Sequence, residues 1–222
     1  MHVMILAAGR GERLRPLTDT LPKPLLQVRG KPLIDWHLER LAADGFREIV
    51  INVAHLGGVI MDLLGDGRRW GLTIAWSVES RALETAGGIA YARGLLGDAP
   101  FLLVNADVFC EYPFASLRAK ADLGGLCGHI VLVPNPPFRP QGDFSLAQGR
   151  VGNLPAPRYT YSGIGVFDPR IVERVAAGEK APLAPLLHEA AAAGRLGGEV
   201  YAGVWNDVGT PERLAELNRM NV

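Results

Sequence analysis

Two carboxylates and two cations in this chain stand where phosphate chemistry would need them. Asp107 follows the apolar run Phe101–Val104, so its carboxylate emerges at a strand's C-terminal end, where open α/β sheets bind ligands. Asp207 likewise ends a run of strand character, just before Thr210-Pro211, an N-cap and first-turn pair for the last helix. Read alone, Asp207 also fits a turn or capping role. Converging with Asp107 beside phosphates, it would complete a hard-oxygen site of the kind Mg²⁺ takes. Lys23 is one of four lysines in a chain with 19 arginines, and Pro22 and Pro24 stiffen the backbone on either side. A compact ammonium so held suits a phosphate that must be positioned, and a solvated surface lysine is the plainer alternative. Ala7-Ala8-Gly9-Arg10-Gly11-Glu12-Arg13 leaves the first strand directly, and its small residues let backbone N–H groups approach phosphate oxygens.

Other glycine-loop and nucleophile patterns fail on specific residues. A dinucleotide fingerprint needs a third glycine three positions after Gly11 and an immediate helix, but Leu14 stands there and Pro16, Pro22 and Pro24 prevent a long helix. Gly30-Lys31 is followed by Pro32 and lacks the earlier glycine of a phosphate loop. Ser162 is not a hydrolase elbow, because Thr160 occupies the position that motif reserves for glycine.

The elements that must position these groups alternate along the chain. Strand-length apolar runs recur at His2–Ala8, Glu48–Val53, Leu72–Val78, Phe101–Asn105, His129–Pro134, Thr160–Phe167 and Glu199–Trp205. Most are near-continuous, as strands buried on both faces read. Helical spacing falls between them at Leu33–Ala43, Leu56–Leu64, Thr85–Leu96, Pro182–Ala193 and Pro211–Asn218, which predicts an α/β sheet covered on both faces. Pro182 and Pro211 are expected in first helical turns. The proline-rich segment 134–158 reads as a loop-and-hairpin insertion.

With 23 Lys+Arg against 23 Asp+Glu there is no field to attract nucleic acid or an anionic membrane. At 48% hydrophobic and 21% charged residues the composition excludes disorder for most of the chain. Cys110 and Cys127 are too few for a disulfide framework and suit a reducing cytoplasm, and both are expected as inert thiols. The histidines form no His-x-x-x-His pair. Val3–Ala8 is far shorter than the ~20 residues of a membrane span. Trp36, Trp70, Trp76 and Trp205 are expected to pack rather than to form a carbohydrate platform.

The combined spacing Gly9-x-Gly11-x-Arg13-x-x-Pro16-Leu17-Thr18 and Pro22-Lys23-Pro24-Leu25 resembles the signature of the sugar-1-phosphate nucleotidylyltransferases. The resemblance runs on through Pro32-Leu33-Ile34, Leu83-Glu84-Thr85-Ala86-Gly87-Gly88-Ile89, Asn105-Ala106-Asp107 and Trp205-Asn206-Asp207-Val208-Gly209-Thr210-Pro211. Within the family the chain most resembles the short N-acetylmuramate-1-phosphate uridylyltransferases of bacterial cell-wall recycling. It implies one domain over 1–222 with a three-layer, Rossmann-like α/β fold and a mostly parallel mixed sheet, acting in the cytoplasm as a monomer or small homo-oligomer.

The resemblance also implies a division of roles. Asp107 and Asp207 would hold Mg²⁺. Arg13 would meet the triphosphate of a nucleoside triphosphate, UTP by preference, and Lys23 the phosphate nearest the reacting centre. Backbone at Leu6, Ala7, Ala8, Gly9, Gly11 and Glu12, with Gly87 opposite, would hold the nucleotide, with Glu79 near the base. Asn105, Asp143, Ser162, Gly163 and Asp207 would face the sugar 1-phosphate. Where hexose-1-phosphate enzymes carry Glu-Lys-Pro, this chain reads Phe138-Arg139-Pro140-Gln141-Gly142-Asp143-Phe144, and Arg139, Arg150 and Arg158 are candidates to meet a muramate carboxylate. Three other readings remain: a nucleotidylyltransferase for glucose, mannose or heptose 1-phosphate; a nucleotide-sugar glycosyltransferase using Asn105-Ala106-Asp107, which would leave Arg13 and Lys23 without a triphosphate to hold; and a silent nucleotide-sensing domain, against which every charged position carried over from the family is intact.

Overall fold

The computed structural model describes residues 1–155 and 157–219. In chain order the elements are β1 (Val3–Leu6), β2 (Gln27–Val28), β3 (Lys31–Pro32), α1 (Leu33–Ala43), β4 (Glu48–Val53), α2 (Gly57–Leu64), β5 (Thr73–Val78), α3 (Glu84–Tyr91), α4 (Arg93–Leu96), β6 (Phe101–Asn105), β7 (Val108–Cys110), β8 (Gly128–Val133), β9 (Phe144–Ala147), β10 (Arg150–Gly152), β11 (Arg158–Phe167), α5 (Ala184–Ala192), β12 (Leu196–Val200), β13 (Trp205–Asp207) and α6 (Pro211–Arg219). Among the described residues the main sheet is nine-stranded, in the order β5-β4-β1-β6-β11-β8-β12-β10-β9. It is mixed: β5, β4, β1 and β6 run parallel, while β11 runs antiparallel to both β6 and β8.

The near-continuous apolar runs exist because successive side chains of a strand leave on opposite faces and here both faces are covered. Val3 and Ile5 of β1, Ile49 and Ile51 of β4, and Leu102 and Val104 of β6 pack with Ile34, Leu38 and Leu41 of α1 and Ile60 of α2. Their neighbours Met4, Val50, Phe101 and Leu103 face the other way, against Ala86 and Ile89 of α3 and Leu187 of α5. Three layers result. Each fully buried Leu, Ile or Val contributes about 1.5–3 kcal/mol relative to exposure.

Register brings the strand ends level. Leu6 at the end of β1 pairs with Asn52 on one side and Asn105 on the other, so three strands stop along one line and open a crevice beyond their C-termini. A third, smaller apolar cluster of Val28, Leu33, Phe109, Val208 and Leu217 seats α6 on the β2–β3 and β7–β13 ribbons. Asn218 of α6 reinforces the seat: its amide donates to Gln27 O at 3.1 Å and its oxygen accepts from Arg29 N at 2.6 Å. The β13 ribbon that carries Asp207 is thereby tied to the hairpin that follows Lys23.

Several local expectations change. The run over Glu199–Trp205 is two strands: β12 starts earlier, at Leu196, where Gly197 and Gly198 dilute the apolar signal, and β13 leaves the main sheet to pair with β7. The helix expected over Thr85–Leu96 divides into α3 and α4 at Ala92. Pro182 precedes α5, whose first turn holds Pro185 instead. Segment 134–158 does contain a hairpin, β9–β10, turning at Gln148-Gly149 with positive φ at both residues. Cys110 is buried, which pushes its thiol up to about 11, and Cys127 is half-buried. No helix among the described residues is long and apolar enough to cross a membrane.

Candidate active site

The crevice beyond the strand ends is a chain of cavities that share walls. One of about 240 Å³ lies over Leu6, Ala7, Ala8, Gly9, Glu84 and Thr85 and reaches Lys23 and Asp107. A second, of about 410 Å³, runs along Gly9–Leu14 to Lys23, Asp107 and Gly209. A third, of about 150 Å³, joins Asn105, Asp107, Arg139, Tyr161, Trp205 and Asp207. The fourth, about 420 Å³, extends from Asn105 past Arg139, Asp143 and Tyr161 to His188. Asp107 borders the first three, so it stands where they meet.

The loop after β1 is held in shape by its own side chains and by Lys23. Gly11 adopts φ 66°, and a Cβ there would come within 2.9 Å of Thr18 Cγ2 and 3.2 Å of Lys23 Cβ. Thr18 Oγ1 in turn donates to Gly11 O at 2.9 Å. Gly9 faces open space, Glu12 and Arg13 are exposed, and both border the second cavity. Lys23 is 7% exposed and extends its Nζ to Asp107 Oδ2 at 2.6 Å.

Asp207 arrives on the β7–β13 ribbon, directly opposite Val108, and Val208 N donates to Asp107 O at 2.9 Å. The two carboxylate residues are therefore neighbours across one ladder. Arg213 Nη1 donates to Asp207 Oδ2 at 3.2 Å, while Asp207 Oδ1 is buried without a partner among the described residues. A buried carboxylate oxygen left unpaired costs about 1–3 kcal/mol, more when charged, so a ligand that claims it recovers that cost. No cluster of three or more His, Cys, Asp or Glu exists among the described residues. Two hard-oxygen side chains bordering a phosphate-sized cavity fit Mg²⁺, which keeps several waters and takes further oxygens from substrate phosphates.

The sugar-side residues divide between those that face the cavity and those that shape it. Ser162 and Gly163 form the bulge of β11, between the pairs Tyr161↔Leu132 and Ile164↔Val131. Gly163 takes φ 81°, and a Cβ there would lie 2.7 Å from Asn105 Nδ2. The Ser162 hydroxyl turns into the sheet, donating to Val131 O at 2.7 Å, so only its backbone is offered to the cavity; its carbonyl accepts from Trp205 Nε1 at 2.9 Å. Asp143 Oδ2 accepts from Arg139 Nη1 at 3.1 Å and from Tyr161 N at 2.8 Å. Arg139 is the one of the three named arginines that borders this space, because Arg150 is exposed on β10 and Arg158 turns inward to Asp143 O.

Two residues expected at the nucleotide take supporting places instead. Glu79 is buried behind the wall, Oε1 accepting from Asn52 Nδ2 at 2.6 Å and Oε2 from Leu83 N at 2.9 Å, and burial raises its pKa. Gly87 N donates to Ala181 O at 3.1 Å, and a Cβ on it would meet Glu179 O, so it packs α3 on that segment. Sequence reasoning missed Asn52, whose Oδ1 accepts from Ala7 N at 2.9 Å and fixes the loop's departure; a polar residue late in the apolar run Glu48–Val53 was its signal. It also missed Glu84 and Thr85, which border both the nucleotide-side and sugar-side cavities. Glu84 holds φ 60°, a left-handed conformation uncommon for a residue with a side chain.

A parallel half-sheet, a glycine-bearing loop after its first strand and two carboxylates at the crevice define a nucleotide-handling α/β protein. Residues 2–144 match the family model described as Nucleotidyl transferase, and the chain belongs to that family. It is 50% identical, over 99% of its own length and 98% of the relative's, to the N-acetylmuramate alpha-1-phosphate uridylyltransferase of Neisseria meningitidis serogroup B. It is 33% identical to a mannose-1-phosphate guanyltransferase of Hypocrea jecorina, covering 96% of this chain but 62% of that longer protein. The fold matches a Bacillus anthracis structure described as a glucose-1-phosphate thymidylyltransferase in complex with sucrose, with a TM-score of 0.87 at 19% identity over 100% and 97% of the two chains. HddC from Yersinia pseudotuberculosis, complexed with GMP-PN, gives a TM-score of 0.76 at 21% identity over 98% and 97%.

Proposed function

We propose that this chain transfers the uridylyl group of UTP to N-acetylmuramate α-1-phosphate, releasing pyrophosphate and forming UDP-N-acetylmuramate. The observation that carries the reading is Asp107, held by Lys23 and laddered to Asp207, at the junction of a loop-lined cavity and the smaller one bordered by the sugar-side residues. The full-length similarity to the Neisseria enzyme supports the choice of base and sugar. In this reading residues 1–222 form one catalytic domain working in the cytoplasm, on a product of cell-wall recycling.

The sugar phosphate arrives already ionised, and its oxygen attacks the α-phosphorus in line with the departing pyrophosphate, so no covalent enzyme intermediate forms. The protein's task is alignment and charge neutralisation. Backbone of Leu6–Gly9 seats the nucleoside, N–H groups of the 9–13 loop face the β- and γ-phosphates, and Arg13 holds the leaving pyrophosphate. Lys23, fixed at Asp107, places its ammonium beside the α-phosphate, where charge develops. Asn105, pinned by the Gly163 bulge, and the backbone of Ser162 and Gly163 orient the sugar, with Asp143 accepting a hydroxyl. Asp107 and Asp207 would hold Mg²⁺, which neutralises phosphate charge.

N-acetylmuramate carries a lactyl carboxylate, and Arg139 is the cation that fits it. A hydrogen bond to a charged group is worth ~1.5–3 kcal/mol, which predicts a roughly ten- to hundredfold preference over N-acetylglucosamine 1-phosphate in kcat/KM. A pyrophosphate-release panel of four nucleoside triphosphates against several sugar 1-phosphates tests all of this. Highest kcat/KM for UTP with the muramate sugar is expected. Equal use of the two amino sugars, or a preference for mannose or glucose 1-phosphate, removes the sugar assignment and leaves the general transferase.

A further inference from the structure

Arg213 lies in the first turn of α6, yet it does more than cap the helix. Its Nη1 donates both to Asp207 Oδ2 and to Asp207 O, each at 3.2 Å, and its side chain is 13% exposed. The guanidinium covers Gly209, where a Cβ would sit 2.5 Å from Nη2. Its flat face carries the ring of Phe138, with Cζ 3.9 Å from the ring centroid. Phe138 is 48% exposed and, among the described residues, belongs to none of the three apolar clusters, so the guanidinium helps to hold it in place. Phe138 is also the residue before Arg139, and both border the cavity that Asp207 borders.

We propose that Arg213 is a positioning residue: it fixes the Asp207 carboxylate against rotation in the orientation a divalent cation would meet, and through Phe138 it ties that orientation to the sugar-side loop. The inference rests on the reading of Asp207 as a metal ligand. A carboxylate can rotate about its last bond and offer either oxygen. Bonds from one Nη1 to both the side chain and the backbone of the same aspartate stop that rotation. Only a planar guanidinium can bond in its plane and stack on its face at once, so lysine keeps the charge but not both contacts. Partners of this outer kind, when removed, typically lower metal affinity about 10- to 100-fold.

The test is Mn²⁺ titration of the full-length protein saturated with UMP, whose phosphate supplies the remaining oxygens, following the free-ion electron paramagnetic resonance signal, with thermal unfolding of each variant alongside. Asp207→Asn should abolish the tight site. Arg213→Lys should weaken Mn²⁺ roughly 10- to 100-fold with little change in unfolding temperature, and Phe138→Ala should weaken it less. The double variant should fall short of the product of the two single effects, because both act through one guanidinium. Mn²⁺ affinity unchanged in Arg213→Lys overturns the inference while the metal reading stands. Effects of the two single changes that multiply fully overturn the link to the loop. Mn²⁺ binding that is absent in the wild type, or indifferent to Asp207→Asn, removes the metal reading and this inference with it.

Discussion

Lys23 and Asp107 touch at 2.6 Å, but the lysine side chain is 9% exposed and the aspartate 36%, and that asymmetry decides what each substitution does. Losing the aspartate strands a buried ammonium, whereas losing the lysine leaves a carboxylate that water still reaches. Asp107→Asn keeps an acceptor for Lys23 and should unfold within a few degrees of wild type while kcat falls by about 10²–10³ or more. Asp107→Ala should lose the same activity and destabilise by a further ~1.5–3 kcal/mol, the worth of a charged hydrogen bond. Equal stability of the two variants in urea would remove the burial argument, and turnover near wild type would remove the catalytic one. The sequence pointed to both residues separately, Asp107 by its strand end and Lys23 by its flanking prolines, but nothing in residue type or spacing revealed that they pair across 84 positions. Nor did it reveal that Glu79 is consumed by Asn52 and Leu83, since a carboxylate near a binding segment reads the same whether it faces ligand or backbone.

Strand β11 shows what periodicity can and cannot reveal about an element. Its apolar run was legible, yet a run buried on both faces hides the slip at Ser162-Gly163, because no change of face interrupts the pattern. That slip aims Asn105 and exposes backbone to the sugar-side cavity. Gly163→Ala adds a methyl at φ 81° against Asn105, so the variant should lose about 1–2 kcal/mol and raise KM for the sugar phosphate more than for the nucleotide. Gly11→Ala carries the opposite signature, since its methyl presses on Thr18 and Lys23: the nucleotide side should suffer first. Separate KM determinations for the two substrates check the pair, and identical profiles for both variants would dissolve the division of the crevice into two sides. The alternation of strand and helix was legible for a related reason, because covering both faces of a sheet forces near-continuous apolar strands and amphipathic helices into the sequence itself.

At the scale of the whole molecule, covering the sheet also buries a titratable group. His37 on α1 is 1% exposed, its ring 6.3 Å from that of Phe114, and burial pulls its imidazole down to about 4 from 6.5. A backbone hydrogen bond at Val108 and the nearby Asp107 favour its charged form, but desolvation, acting in the same direction as Arg40, outweighs them. Between those two values the unfolded chain binds a proton that the folded chain refuses, so stability is full above the upper value and falls as pH drops through the window. Each pH unit removes at most ~1.4 kcal/mol, and the whole window about 3 kcal/mol. Glu79 and Asp35, raised by burial, bias stability in the opposite sense, which makes the wild-type curve alone uninformative. His37→Leu cancels that background: the two carboxyl groups remain while the imidazole is gone. Urea unfolding of both proteins from neutral pH down to about pH 4.5 should therefore show the wild type losing ~1–3 kcal/mol relative to the variant. Parallel curves would mean that His37 reaches water or a partner in the folded protein, and that the layer between α1 and the sheet is looser than its packing indicates.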